Sequence, residues 1–299
     1  MVRTPVTITT AVPKGFSFPA TVNSHGWYDL PPFRSAEPYS ELHALIPLPT
    51  RRTVDVRLTA GTVRLRIDIK QSGPLKKEEQ DAIRSTVRSM LRLDEPLEEF
   101  YALCRREPHL RWVPKRGAGR ILRAPTVFED VVKMLFTTNC SWSLTRIQTT
   151  HLTRKLGTET APGLFTFPHP SAIARMSDAW LRREISCGYR APYLLALCRS
   201  IDSGRIDLEP LRSSEAPTEE LYRTLRSIKG IGHYAAGNIL KLLGRYDHLG
   251  IDSWVRSRFA EIHRNGRTVP DAAIERHYDR YGRWRGLVCL MEVTADWHA

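Results

Sequence analysis

The sequence predicts a mainly α-helical protein with a small antiparallel β unit at its N-terminus, an α+β arrangement. Three observations carry this. Apolar residues alternate strictly between positions 53 and 70, the spacing turns helical from Pro74 onward, and 299 residues suffice for two or three cores. A division at residues 1–73 (sheet) and 74–299 (helical region) follows.

The stretch "TVDVRLTAGTVRLRIDIK" places Val54, Val56 and Leu58 on one face, then Val63, Leu65, Ile67 and Ile69 after a turn at Ala60-Gly61. That is a hairpin with one buried face and arginines on the other. Upstream, "GFSFPATVNSHGWYDLPPFR" reads as further strand-like pieces broken by prolines, which suit sheet edges. "LKKEEQDAIRSTVRSMLRL" sets Ile83, Val87, Met90 and Leu91 on one helical stripe. Short helices follow in "PLEEFYALC", "TVFEDVVKMLFTT", "WSLTRIQTTHLTRKLG", "SDAWLRREIS" and "APYLLALCRSIDSG", the last ending at a capping Gly204. "PTEELYRTLRSI" leads into a glycine turn, and "SWVRSRFAEIH", "PDAAIERHYDRYG" and "WRGLVCLMEVTADW" complete a bundle of about ten helices.

Forty-five Lys and Arg against 32 Asp and Glu leave a net charge of +13, which points to a polyanionic partner. No run of like charge suggests a basic tail, and no apolar run reaches the ~18 residues of a membrane span. The opening "MVRTPVTITT" lacks the apolar stretch of a signal peptide, and five scattered cysteines fit a reducing compartment. A cytoplasmic, nucleoid-associated place is therefore expected. Without a CxxC pair, no zinc or iron–sulfur site is expected.

Chemistry concentrates in "LRSIKGIGHYAAGNIL". One helix ends near Ile228 and the next begins around His233. Gly230 and Gly232 allow a sharp turn and leave the amides that open the second helix bare, where a phosphate fits; Lys229 adds charge. A plain helix–turn–helix corner would use the same glycines. Asp252 stands 20 residues beyond Gly232, after an apolar Ile and at the head of a new helix. It suits a helix cap, and a cap holds a carboxylate at a helix mouth beside bound phosphates.

The hairpin, its connecting loop and this aspartate resemble, in order and spacing, the helix-hairpin-helix DNA glycosylases with a Gly/Pro-rich loop and catalytic aspartate. "SCGYRAPYLLALCRSI" is similar to a segment of 8-oxoguanine glycosylases, and "YGRWRGLVCLMEV" to the terminal helix of AlkA-type alkylpurine glycosylases. The resemblance is strong over about 126–297 and loose before that. It implies two helical subdomains with the active site between them, a flipped-out base, and Asp252 stabilising positive charge on the deoxyribose. It also implies phosphate contacts at Lys229, Gly230, Ile231, Gly232 and His233. Asn139, Ser141 and Trp142 would face the gap in the DNA. Tyr234, Asn238, Trp254, His25, Gly26 and Trp27 would line the base pocket.

Bifunctional relatives carry a Schiff-base lysine where this sequence has Tyr234, so base removal without strand cleavage is implied. Lys241 lies about 10 Å further along the helix, at ~1.5 Å per residue. No cofactor is implied beyond a structural monovalent cation that such a hairpin could hold. The four-cysteine iron–sulfur motif of some relatives is absent, since Cys289 alone follows the hairpin. The implied partner is double-stranded DNA containing a modified base, met by a monomer. Three readings stay open: repair of a damaged base, removal of deliberately modified bases from foreign DNA, and a non-catalytic DNA-binding module.

Overall fold

The computed structural model describes residues 6–50, 52–61, 63–70 and 73–298. The first five residues of the β unit, together with Thr62, Gln71 and Ser72, lie outside them. Four strands form one antiparallel sheet: β1 (Val6–Ala11), β2 (Glu41–Pro47), β3 (Thr53–Ala60) and β4 (Arg64–Lys70), in the order β1-β4-β3-β2. The expected hairpin is β3–β4, with Val56 opposite Ile69 and Leu58 opposite Ile67. Val54, Val56, Leu58, Leu65, Ile67 and Ile69 are buried as the alternation requires. Val63 is not: it sits in the turn, 71% exposed.

The other two strands are not where proline-broken pieces suggested. "GFSFPATVNSHGWYDLPPFR" holds the short helix α1 (Phe18–Val22) and a 3-10 turn at Gly26–Asp29. Ser17 accepts the Ala20 N–H, and Pro19 in the first turn loses no hydrogen bond, so local capping outweighs β-propensity. The segment packs Trp27, 3% exposed, against the helices and sets His25 at a cavity.

The helices run α2 (Lys77–Met90), α3 (Glu98–Arg106), α4 (Trp112–Arg116), α5 (Val127–Thr137), α6 (Trp142–Leu156), α7 (Pro170–Ala174), α8 (Asp178–Ile185), α9 (Ala191–Asp202), α10 (Thr218–Ser227), α11 (His233–Leu243), α12 (Ser253–Arg264), α13 (Asp271–Tyr278) and α14 (Arg285–Val293). The count exceeds the expected ten because α1, α4 and α7 are single five-residue turns that periodicity cannot reveal. The α2 stripe of Ile83, Val87 and Met90 is fully buried, each side chain contributing about 1.5–3 kcal/mol. Among the described residues, no helix is long and apolar enough to cross a membrane.

Two helical groups form. Helices α5 to α11 pack on one another, and α3, α4 and α12 to α14 make the second group. One continuous apolar cluster runs from Ile8 to Val293 through sheet and helices alike. The boundary at residue 73 thus separates topologies, not cores. Polar ties cross it as well: the buried Trp27 indole N–H donates to Asp130 Oδ1 on α5 at 2.8 Å. Asp130 in turn accepts from Arg212 at 3.0 Å.

Candidate active site

Between the β unit and the two helical groups lies a cleft of about 880 Å³. Asp252, Tyr234, Asn238, Trp254, His25, Gly26, Trp27 and Trp142 all line it. Residues more than 200 positions apart in sequence thus meet at one cavity.

The hairpin forms as its glycines suggest, but they contribute differently. Gly230 takes φ +95°, and a Cβ there would stand 2.7 Å from the Tyr193 ring, so glycine is required twice over. Gly232 is extended (φ −81°), with only the Arg226 guanidinium near an added Cβ. The turn itself needs only Gly230; Gly232 keeps the helix mouth open. No side chain caps α11, which leaves its first amides to be satisfied from outside. Lys229 and His233 are exposed there, whereas the Ile231 side chain is buried and only its backbone is presented.

Asp252 caps α12, its Oδ1 accepting the Val255 N–H at 2.8 Å. Its position is set by α11. Asn238 donates to the Gly250 carbonyl at 3.2 Å and to the Tyr234 carbonyl at 2.9 Å. Both amide hydrogens of Asn238 are therefore committed to backbone, and this cleft-lining side chain holds the loop that leads to Asp252. Gly237 makes the approach possible, since a Cβ there would lie 2.9 Å from the Gly250 backbone. Lys241 completes the fastening through Asn238 Oδ1, at 3.1 Å, and the Leu249 carbonyl.

Lys241 also corrects the distance argument made from the sequence. Seven residues after Tyr234 it returns to the same helical face, and it borders the cleft. Burial pushes its ammonium down to about 8, against the nearby Cys289 and Asp252, which favour the charge. Tyr234 is half-buried; its hydroxyl donates to Thr137 Oγ1 at 3.4 Å, and burial pushes it up to about 12.

The aromatic walls come from three directions. Trp254 stacks on Trp297, centroids 5.1 Å apart, and His25 lies 4.7 Å from Trp27. Trp142 lies flat on Gly26, where an added Cβ would be 2.2 Å from its ring, and its indole N–H donates to Asp29 at 2.8 Å. It lines the cleft while remaining 39% exposed. Ser141 caps α6 through the Leu144 N–H. Asn139 stays exposed on a left-handed turn (φ +45°) held by Arg190, which donates to the Thr138 and Asn139 carbonyls. Tyr189 stands beside it, 46% exposed. Tyr189, Trp297 and Lys241 were missed as site residues. The exposed tyrosine in "CGYRAP" was the one available signal.

Neither ring nitrogen of His25 has a partner among the described residues, although both are shielded from solvent. Burial, aided by Lys133 and Arg92, pushes the imidazole down to about 3. In the unfolded chain it titrates near ~6.5. Between those values only the unfolded chain takes the proton, so this group's share of stability is complete above ~6.5 and is lost as the pH falls toward 3. Urea midpoints at pH 7 and pH 4.5 should therefore fall further in the wild type than in His25→Phe. Equal losses would show that His25 is not responsible.

This architecture is the fold of the helix-hairpin-helix DNA glycosylases. The 3-methyladenine DNA glycosylase of Archaeoglobus fulgidus superposes with a TM-score of 0.77 at 22% identity, covering 97% of this chain and 98% of that one. The 8-oxoguanine glycosylase/lyase of Clostridium acetobutylicum gives 0.74 at 17% identity, covering 98% and 96%. Its complex with double-stranded DNA containing cytosine opposite 8-oxoG gives the same values. No protein-family model matches the sequence, and no curated protein matches it.

Proposed function

We propose that the protein is a monofunctional DNA N-glycosylase, which rotates a modified base out of the duplex and hydrolyses its N-glycosidic bond, leaving an abasic site. The observation that carries this is the fastening of Asp252 to the hairpin helix. A phosphate-binding turn and a carboxylate are joined through Asn238, Gly237 and Lys241 at the mouth of an aromatic-walled cleft. DNA held at the α11 amides, Lys229 and His233 would present one nucleotide to that cleft. The extruded base would stack on the Trp254, Trp27 or Tyr234 surfaces, contacts of this kind being worth roughly 1–3 kcal/mol. As the bond breaks, positive charge develops on the sugar, and Asp252 is the carboxylate placed to stabilise it and to orient water.

Asn139 and Tyr189, exposed on the turn between α5 and α6 and on the segment before α9, suit the gap the base leaves. The partner is duplex DNA, met by one copy of the chain inside the cell. No cofactor enters the reaction.

Absence of strand cleavage is supported by Tyr234 in the lysine position. It is supported too by the state of Lys241, whose Nζ is almost wholly buried and bonded to two oxygens. A panel of duplexes, each with one altered base, incubated with and without alkali, tests both points. The expected result is strand breakage only after alkali. Breakage without it would show lyase activity, and a borohydride-trapped adduct lost in Lys241→Gln would assign that chemistry to Lys241. The panel includes damaged purines and the substituted pyrimidines of phage-type DNA, so it also separates repair from defence. Salt-sensitive binding without excision of any base would leave the non-catalytic reading.

A further inference from the structure

Away from the cleft, where the C-terminal ends of α12 and α14 meet α13, lies a second cluster of chemistry-bearing side chains. Potential ligand atoms of His263, His277 and Glu292 all lie within 4.8 Å of one another. His263 Nε2 is 2.8 Å from Glu292 Oε2, and the His263 and His277 ring centroids are 4.2 Å apart. Glu292 is 7% exposed, so a carboxylate is held inside the protein with two imidazoles against it.

We infer that His263, His277 and Glu292 form a site for a divalent transition metal, Zn²⁺ by preference. Two imidazoles and one carboxylate are a three-ligand zinc set, with a fourth position left for water. Mg²⁺ and Ca²⁺, which favour oxygen, are poorly served by it.

Hydrogen bonds hold the carboxylate but leave a shielded imidazole nitrogen unmatched. Tyr278 donates its hydroxyl to Glu292 Oε2, His263 shares a proton with the same oxygen, and His109 Nε2 is 3.1 Å from Glu292 Oε1. His277 Nε2 is shielded from solvent and has no partner among the described residues. Entry of the metal would replace the His263–Glu292 hydrogen bond, the neutral His263 ring then carrying its proton on the nitrogen away from the ion. His109 and Tyr278 would keep the carboxylate oriented.

No sequence motif announces this site, because its ligands come from three helices at separations of 14 and 15 residues. It would revise the expectation that the chain holds no metal. Its effect would be to clasp the end of α12, the helix whose other end Asp252 caps, to α13 and α14.

Chelator-stripped full-length protein is titrated with ZnCl₂, MgCl₂ or CoCl₂ and followed by calorimetry, thermal unfolding and visible absorption. The wild type should bind one equivalent of Zn²⁺ with a rise of several degrees in Tm and develop a Co²⁺ ligand-field spectrum, while ignoring Mg²⁺. His277→Ala and the near-isosteric Glu292→Gln should each lower Zn²⁺ affinity at least ~100-fold and abolish the Co²⁺ bands. Their metal-free far-UV spectra verify folding, and one folded variant suffices. Failure of the wild type to take up Zn²⁺, or undiminished uptake in a folded variant, would overturn the site. Uptake of the second kind would be surface binding.

Discussion

Asp252→Asn is expected to slow base excision by a factor on the order of 10³ while leaving duplex affinity within a few-fold of wild type. Asparagine retains a side-chain oxygen that can still accept the Val255 N–H, so the α12 cap and the loop before it persist. What disappears is the negative charge that the proposed reaction uses at the sugar. Asp252→Ala makes the comparison: it loses both charge and cap and should cost a further ~0.5–2 kcal/mol of stability. Single-turnover excision with a duplex identified by the panel, beside binding at fixed salt, measures the separation. Near-normal excision by the Asn variant would remove Asp252 from the chemistry.

The second large effect is expected at Gly237→Ala, a residue that touches neither DNA nor base. In an isolated helix this change gains roughly 1 kcal/mol in propensity. Here the new methyl would stand 2.9 Å from the Cα and N of Gly250, which is backbone and cannot rotate away. Either α11 or the Asp252 loop must move by several tenths of an ångström, stretching the Asn238–Gly250 bond. Misplacement on this scale costs up to ~10²-fold in rate, so excision should fall by roughly 10- to 100-fold. The fall should appear in the single-turnover rate, with DNA affinity little changed because the hairpin amides lie a full turn away. Full activity in this variant would mean that the loop position is not set by the Gly237–Gly250 contact.

The parts of the site that were legible in the sequence are those that depend on neighbours along the chain. A positive-φ glycine, a bare helix start and an aspartate heading a helix are local, and all three stand where their spacing placed them. The β3–β4 hairpin was legible because alternation records a buried face directly. What was not legible depends on residues distant in the chain. Nothing near Asn238 in sequence shows that Gly250 lies against it, and nothing near Trp142 shows that Gly26, 116 residues earlier, lies against its ring.

The sequence by itself determined the order of sheet and helices, the glycine turn with its uncapped helix start, the capping aspartate and the absence of lysine at position 234. These follow from backbone preference, hydrophobic period and residue chemistry, which act over a few residues. The resemblance had already grouped His25, Trp27, Tyr234 and Trp254; only the tertiary structure decided that Trp297 joins them in one cleft, that Lys241 fastens a loop there, and that His263, His277 and Glu292 converge elsewhere. The physical reason is burial. Closing one core around many helices brings distant side chains into contact, and which of them meet depends on packing that no local pattern encodes.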